Sequence, residues 1–234
     1  MFPRFESPRA ASLDAIQAAL VQSGGCLIKD FPLHNDDAIV EQVLAWGEPL
    51  HESRNAVQGI VYTVQVDETD TLPAYADTPY YFSCHTDCAE FAEPPDTVLL
   101  LCDTPADQGG ASLWAPIDAV VAHLSAETLL ELQKPAFPFK SSFYPILELG
   151  TADEITVRYQ PIALVLSESA GLWQSTPAQN AAIHAFEEAL QQETQRFTLE
   201  KGDCWLLNNR RILHGREAFV GPRVLRRARF YLKA

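Results

Sequence analysis

The chain of 234 residues is long enough for one substantial hydrophobic core and short for two ordinary domains, so we expect a single domain over residues 1–234. Apolar residues make up 47% and charged residues 21%, which is typical of a globular protein, and no apolar run is long enough to cross a bilayer. The formal net charge of −14 argues against nucleic acids and anionic membranes as partners, because both are polyanions.

Two helices and two strands are predicted in the first third of the chain. They are, in order, a helix at 12–22, a strand at 26–31, a helix at 37–46 and a strand at 60–66. Ser12 can cap the first helix, and Asp36 and Asp37 can cap the second. A polar loop at 67–80 follows, and its length is typical of loops that act as lids.

Strands dominate the remainder of the sequence. The predicted strands lie at 81–87, 96–102, 112–116, 196–199, 204–216 and 223–233, and the predicted helices are two short ones within 116–134 and a longer one at 177–193. Many of these strands can pair antiparallel with their neighbours. The pattern favours a mainly β protein with flanking helices, arranged as a β-sandwich or jelly roll.

Outside the elements, the N-terminus lacks the apolar core of a signal peptide, which favours a cytoplasmic protein. The five cysteines are an odd and scattered set, so the sequence does not suggest a disulfide framework. We expect most of them to be buried as small apolar side chains.

A pair of metal-binding residue types stands in the strand predicted at 81–87. His85 and Asp87 are two residues apart, so in a strand both side chains project from the same face. An imidazole and a carboxylate are two thirds of a facial triad, and a third ligand leaves three open positions on an octahedral Fe(II). His214, in the C-terminal strands, is the natural third ligand.

Two competing interpretations concern the same residue types. His34 and Asp36 form a second His-x-Asp pair, but Asp36 stands at a helix start and is better explained as a cap. Cys84 and Cys88 flank His85 and could suggest zinc. They lack a second Cys or His pair at zinc-ribbon spacing, so zinc is disfavoured.

Two long segments resemble the taurine dioxygenase and clavaminate synthase-like group of 2-oxoglutarate oxygenases. Residues 85–114 (HTDCAEFAEPPDTVLLLCDTPADQGGASLW) look like that group's iron-binding His-x-Asp, PP pair, strand and Gly-Gly turn. Residues 202–227 (GDCWLLNNRRILHGREAFVGPRVLRR) are similar to its Gly-Asp turn, Asn-Arg strand, His-Gly-Arg and Arg-x-Leu-x-Arg ending. Both segments occur in the right order.

The resemblance implies a double-stranded β-helix (jelly roll) with flanking helices. It also implies an Fe(II), 2-oxoglutarate-dependent dioxygenase with His85, Asp87 and His214 as catalytic iron ligands. Such enzymes use molecular oxygen to hydroxylate, desaturate or cyclise a small molecule, and they release succinate and CO2. The alternatives are a cupin-like metal- or ligand-binding protein without oxygenase activity, and a protein hydroxylase. An iron-dependent halogenase is disfavoured, because chloride would need the position of Asp87.

The resemblance also implies the residues that bind 2-oxoglutarate. Arg223 matches the arginine that pairs with the distal carboxylate, and Ser112 stands where the family usually has a threonine that helps. Arg227 matches a position that contacts substrate or cosubstrate in some members. Because the His214-to-Arg223 spacing is tight, either arginine could take the carboxylate, and the RVLRR motif favours Arg223.

The loop before the metal strand suggests a substrate class. Acidic and aromatic residues are mixed within residues 67–83, namely Asp67, Glu68, Asp70, Asp77, Tyr75, Tyr80, Tyr81 and Phe82. Carboxylates and aromatic faces suit an ammonium group, and Arg227 could hold a carboxylate, so we expect an amino acid or a close derivative. Tyr81, Phe82, Arg158 and Arg227 are the candidate substrate contacts, although a plain solvated loop explains the acids equally well.

Overall fold

A computed structural model of the protein describes residues 2–33, 36–53, 57–67, 69, 71, 74–150 and 154–233. Its α-helices are α1 Leu13–Ser23, α2 Asp36–Trp46, α3 Ile117–Val121, α4 Ala126–Leu132, α5 Pro161–Ser169 and α6 Pro177–Glu193. Its strands are β1 Arg4–Phe5, β2 Gly25–Ile28, β3 Gly47–Pro49, β4 Tyr62–Val64, β5 Phe82–His85, β6 Thr97–Thr104, β7 Gln108–Gly109, β8 Ser112–Pro116, β9 Phe137–Phe139, β10 Ser142–Tyr144, β11 Leu147–Leu149, β12 Ile155–Val157, β13 Gln195–Phe197, β14 Cys204–Asn208, β15 Ile212–Arg216, β16 Phe219–Val220 and β17 Val224–Leu232.

Two sheets carry the architecture. The major sheet has the order β1-β2-β14-β6-β17-β3, with β4 also paired to β17, and the minor sheet has the order β13-β8-β15-β5. All pairings in these two sheets are antiparallel except that of β1 with β2. The two sheets pack face to face as a double-stranded β-helix, which confirms the predicted fold class.

Successive side chains of a strand point to opposite faces of its sheet, and this explains how the sheets and helices are layered. On β14, Trp205 and Leu207 lie in the core between the sheets, whereas Leu206 lies in the core under α1 and α2. A third core packs α3–α6 against the outer face of the minor sheet and contains Leu213 and Phe186. The space between the two sheets is therefore lined by side chains from both of them.

The strongest helical signals in the sequence coincide with helices in the structure. Ser12 caps α1 by accepting a hydrogen bond from the Ala15 amide at 3.3 Å, and Gly24 ends that helix with φ +71°. Thr176 forms a reciprocal capping box with Gln179 at the start of α6. None of the helices in the described part of the chain is long and apolar enough to cross a membrane.

Some predicted boundaries need correction. The strand predicted at 81–87 ends at His85, and Asp87 lies in the following turn, where Cys88 has φ +58°. Helix α5 and the strands β9–β12 were not predicted. Asp36 and Asp37 occupy the first turn of α2. The competing His34, like Glu68 and Asp70, lies outside the described residues.

A candidate metal centre between two pockets

The three predicted metal ligands converge in the structure. His214 on β15 lies opposite His85 at the end of β5, and Asp87 reaches the same place through the turn. Asp87 Oδ1 is 3.5 Å from His85 Nε2 and 4.0 Å from His214 Nε2. All three side chains are buried, and one ligand atom of each lies within 4.8 Å of the others.

Both histidines are in the state that a metal requires. The His85 Nδ1–H group donates to the Ser83 carbonyl at 2.9 Å, which leaves Nε2 as the ligand atom. Burial, together with the neighbouring His85, lowers the pKa of His214 to about 3. His214 is therefore neutral near pH 7, as an imidazole ligand must be.

Asn209 fixes the backbone of Asp87. The Asp87 amide donates to Asn209 Oδ1 at 2.8 Å, and Asn209 Nδ2 donates to the Asp87 and Pro95 carbonyls, each at 2.9 Å. The sequence analysis missed this residue. Its signal is weak: Asn209 is the last residue of the run CWLLNN, and nothing local shows that it is buried.

Two arginines set the charge state of Asp87. Arg227 Nη1 is 3.5 Å and Arg229 Nη1 is 3.7 Å from Asp87 Oδ2. Burial alone would raise the pKa of this carboxyl, but the two guanidinium groups and the two histidines together outweigh burial and hold the pKa well below its usual range. Asp87 is therefore an ionised carboxylate inside the protein.

Arg229 is itself held by an acidic residue that the sequence analysis did not single out. Its Nη2 forms an ion pair with Glu52, and its Nη1 donates to Cys88 Sγ at 3.1 Å. Glu52 lies far from Arg229 in sequence, so only the tertiary fold reveals the pair. The alternation of β17 could have indicated Arg229, because residues 223, 225, 227 and 229 share one face of a strand.

An inner pocket extends from the two histidines into the space between the sheets. Its wall includes Ser112, Leu100, Leu225 and Arg223. Arg223 is buried, and no hydrogen bond or ion pair joins its side chain to another residue that the structure describes. Its guanidinium lies 5.6 Å from the Phe219 ring. Burial lowers its pKa to about 10, so it stays charged near pH 7.

Arg216 anchors the loop that closes the inner pocket. Its guanidinium donates to the carbonyls of Ala76 at 3.0 Å, Thr78 at 2.6 Å and Tyr80 at 2.7 Å. Its donors are directed at the backbone, and it binds the loop before β5 to β15. This loop forms one boundary of the site.

A wider outer cleft opens from the candidate metal ligands His85 and Asp87 to solvent. His85, Asp87, Arg227 and Arg229 form its inner end. Its walls include Tyr62, Tyr75, Phe82, Glu90, Phe139, Lys140, Phe143, Ile162, Leu166 and Leu172. Arg227 lines both the outer cleft and the inner pocket, and its guanidinium lies 5.2 Å from the Tyr62 ring.

Of the four predicted substrate contacts, Phe82 and Arg227 line the outer cleft, whereas Tyr81 and Arg158 do not. Phe82 lines both cavities and stacks on His85 with ring centroids 4.0 Å apart. Tyr81 is exposed and lines a separate groove beside α6. The guanidinium of Arg158 donates to the carbonyls of Ala89, Phe91 and Ala92 and does not line the cleft, so its contacts give no support to a substrate role.

The structure also shows where the acidic loop residues and the cysteines lie. Asp77 is buried and accepts a hydrogen bond from the Tyr62 hydroxyl, and Asp67 is exposed; neither lines the outer cleft. Cys84 faces the core under α6, near Thr194, on the face of β5 opposite His85. All five cysteines are buried free thiols.

The fold and the site together define a class: this is a jelly-roll protein in which two histidines and one carboxylate that could hold a metal ion lie beside a pocket lined by Arg223. Within that class, the chain belongs to the taurine catabolism dioxygenase TauD, TfdA family, whose model matches residues 2–136 and 158–229. This confirms the family resemblance read from the sequence.

Similar proteins include two fungal relatives. The chain is 29% identical to the dioxygenase str8 of Strobilurus tenacellus, over 58% of this chain and 34% of that protein. It is 28% identical to the taurine hydroxylase-like protein SAT17 of Stachybotrys chartarum, over 68% of this chain and 44% of that protein. The chain thus spans less than half the length of these relatives.

Solved structures share the fold. Asparagine oxygenase in complex with Fe(II), 2S,3S-3-hydroxyasparagine and succinate has a TM-score of 0.78 at 18% identity, over 94% of this chain and 77% of that one. The non-heme iron oxygenase OrfP in complex with Fe, succinate and (3S)-hydroxy-L-Arg has a TM-score of 0.72 at 15% identity, over 94% and 80%. PvcB from Pseudomonas aeruginosa has a TM-score of 0.71 at 18% identity, over 97% and 86%.

Proposed function

We propose that the protein is an Fe(II), 2-oxoglutarate-dependent dioxygenase that oxidises a small molecule, an amino acid or a derivative of one. One observation carries the proposal. Three buried ligand atoms within 4.8 Å of one another lie where a pocket ending at Arg223 meets a cleft open to solvent. Such an enzyme needs one compartment for a diacid cosubstrate and another for the substrate.

The donor set fits Fe(II). Two neutral imidazoles and one ionised carboxylate are a facial triad with open positions, and the charged state of Asp87 and the neutral state of His214 meet that requirement. When bound, iron would activate molecular oxygen with electrons taken from 2-oxoglutarate, which leaves as succinate and CO2. The chain's own residues then have to position two organic molecules and keep water out.

Arg223 and Ser112 are suited to the distal carboxylate of 2-oxoglutarate. Both line the inner pocket, and a planar guanidinium binds a carboxylate through two hydrogen bonds. Arg227 stands four residues further along the strand, roughly 13 Å away at about 3.3 Å per residue. Its guanidinium lies against Asp87, so we assign Arg227 to the substrate end of the site and Arg223 to the cosubstrate.

The substrate class rests on the outer cleft and on the structural neighbours. The two neighbours that hold hydroxylated amino acids are asparagine oxygenase and OrfP. In this chain, Arg227 offers a cationic partner for a substrate carboxylate at the inner end of the cleft. Phe82, stacked on His85, gives the reacting part of the substrate an apolar surface.

Succinate formation tests the proposal. The protein is incubated with Fe(II), 2-oxoglutarate and oxygen, and then with a panel of amino acids and their derivatives. We expect succinate to form only when Fe(II) is present, to increase with a true substrate, and to be absent for Asp87→Ala. A protein that binds Fe(II) and 2-oxoglutarate but forms no succinate with any panel member would be a binding protein, as the cupin-like alternative holds.

A further inference from the structure

The outer wall of the cleft exposes large apolar side chains to solvent. Leu166 on α5 is 62% exposed, Leu172 after α5 is 74% exposed and Phe143 on β10 is 48% exposed. All three line the outer cleft, whose inner end is formed by His85, Asp87, Arg227 and Arg229. Contiguous exposed apolar surface beside a functional site usually marks the place where a ligand binds.

The carboxylates of the same cleft already have cationic partners within the protein. Lys140 pairs with Glu90, and Arg229 pairs with Glu52. Asp87 faces the two histidines and two arginines. Among the described residues that line the cleft, the carboxylates are thus Asp87 and Glu90, and both have cationic partners. A free substrate ammonium would have to compete with those partners.

We propose, building on the function above, that the substrate is an acid with a bulky apolar body and no free ammonium group, such as an N-acylated apolar amino acid. Its carboxylate lies at Arg227, its oxidised carbon lies near His85 and Asp87, and its apolar body packs against the wall formed by Leu166, Leu172 and Phe143. The wall residues line the same cleft as His85 and Asp87, and so does Phe82, which stacks on His85. Because one cleft holds both the wall and the candidate metal ligands, the substrate is the occupant that we assign to the wall.

A panel of four compounds tests the apolar body and the absence of an ammonium group separately. L-Asparagine and L-phenylalanine differ in the apolar body, and their N-acetyl derivatives differ from them in lacking the ammonium. We expect N-acetyl-L-phenylalanine to increase succinate formation most and to be the compound that gains oxygen or loses hydrogen. A preference for L-asparagine, or for either free amine over its acetylated form, would overturn the inference.

Two substitutions on α5 test the wall itself. Leu166→Lys places a charge in the cleft, whereas Val165→Lys is a matched control, because Val165 is 63% exposed on the same helix but does not line the cleft. Leu166→Lys should raise the KM for N-acetyl-L-phenylalanine by about tenfold, since apolar contacts are lost. Val165→Lys should leave that KM unchanged. Fe(II) titration and circular dichroism verify that both variants are folded.

The outcomes distinguish this inference from the proposed function. If 2-oxoglutarate turns over without any response to the apolar compounds, the inference fails and the dioxygenase assignment stands. If no succinate forms in any arm, both fail. If Leu166→Lys alters the oligomeric state measured by light scattering but not the KM, the wall is an interface between copies of the chain, and the inference is overturned.

Discussion

Asp87 divides its two carboxylate oxygens between different partners. Oδ1 faces the Nε2 atoms of His85 and His214, and Oδ2 faces the guanidinium groups of Arg227 and Arg229. The arginines keep the carboxylate ionised and hold its second oxygen away from the histidines. A metal ligand that is charged and oriented before the metal arrives loses little free energy when it binds.

The metal ligands can be tested one at a time. His85→Ala, Asp87→Ala and His214→Ala should each weaken Fe(II) binding by more than the roughly 10–100-fold that is typical of changes outside the ligand shell. Anaerobic Fe(II) titration measures the affinity, and circular dichroism monitors the fold. His184→Ala, on the exposed surface of α6, is the control. Wild-type affinity in His85→Ala would show that the assignment is wrong.

Arg223, which immediately precedes β17, and Arg227 on β17 should differ in what they affect. Arg223→Leu should raise the KM for 2-oxoglutarate by about one to two powers of ten, because a charge-assisted hydrogen bond contributes roughly 1.5–3 kcal/mol. Arg223→Lys should be intermediate, since it keeps the charge and loses the planar fork. Arg227→Leu should mainly raise the KM for the substrate. The opposite pattern would mean that the two roles are exchanged.

At the scale of elements, the site depends on how closely β5 and β15 approach each other. Gly215 follows His214, and a Cβ atom there would lie 2.5 Å from the Phe82 carbonyl oxygen on β5. The absence of a side chain therefore allows His214 and His85 to face each other. The same strand pair carries Arg216, which binds the loop at 76–80.

Gly215→Ala should separate the two strands. We expect the free energy of unfolding to fall by about 1–3 kcal/mol, as for other overpacked sites, and Fe(II) affinity to fall with it. Gly150→Ala is the control, because the nearest atom to its new Cβ, the Glu154 carbonyl oxygen, is 3.3 Å away. Chemical denaturation and Fe(II) titration measure both quantities. Unchanged Fe(II) affinity in a destabilised Gly215→Ala protein would contradict the claim that metal binding depends on the spacing of β5 and β15.

At the scale of the whole molecule, the sequence predicted the parts whose signals are local. The helix at 177–193 has periodic apolar residues and a cap, and the buried strands β6 and β14 are continuous apolar runs. The strands β9–β12 have three residues each, too few for any periodicity to be visible. The double-stranded β-helix followed from the number of strands and from the family resemblance.

The candidate site was predictable only in part, for a similar reason. The His-x-Asp pair and the His-Gly-Arg motif identified three side chains that the structure brings together as candidate metal ligands, although Asp87 reaches the two histidines through a turn and not along a strand. The contacts of Asn209 with Asp87 and of Glu52 with Arg229 join residues far apart in sequence, so no local pattern indicates these pairings, although strand alternation could have indicated Arg229 itself. The acidic residues of the loop at 67–80 predicted an anionic lid. The two of them that the structure describes, Asp67 and Asp77, do not line the outer cleft, because the fold decides where each side chain points.

The metal-free protein should lose stability as pH falls from 7 toward 4. Burial lowers the pKa of His214 from 6.5 to about 3, so below pH 6.5 the unfolded chain binds a proton that the folded state does not. This group contributes a slope of at most about 1.4 kcal/mol per pH unit. His214→Gln should reduce the slope and His184→Gln should not, as measured by urea denaturation across that range. Equal slopes for both variants would contradict the buried, neutral state of His214.

The central claim is that one site holds Fe(II) and 2-oxoglutarate together, and calorimetric titration of 2-oxoglutarate under anaerobic conditions tests it most directly. With His85, Asp87 and His214 holding the metal and Arg223 the far carboxylate, 2-oxoglutarate should bind the Fe(II)-loaded protein at least about tenfold more tightly than the metal-free protein. Asp87→Ala should abolish this difference, and Arg223→Leu should weaken both affinities. Equal affinity with and without Fe(II) in the wild-type protein would contradict the account.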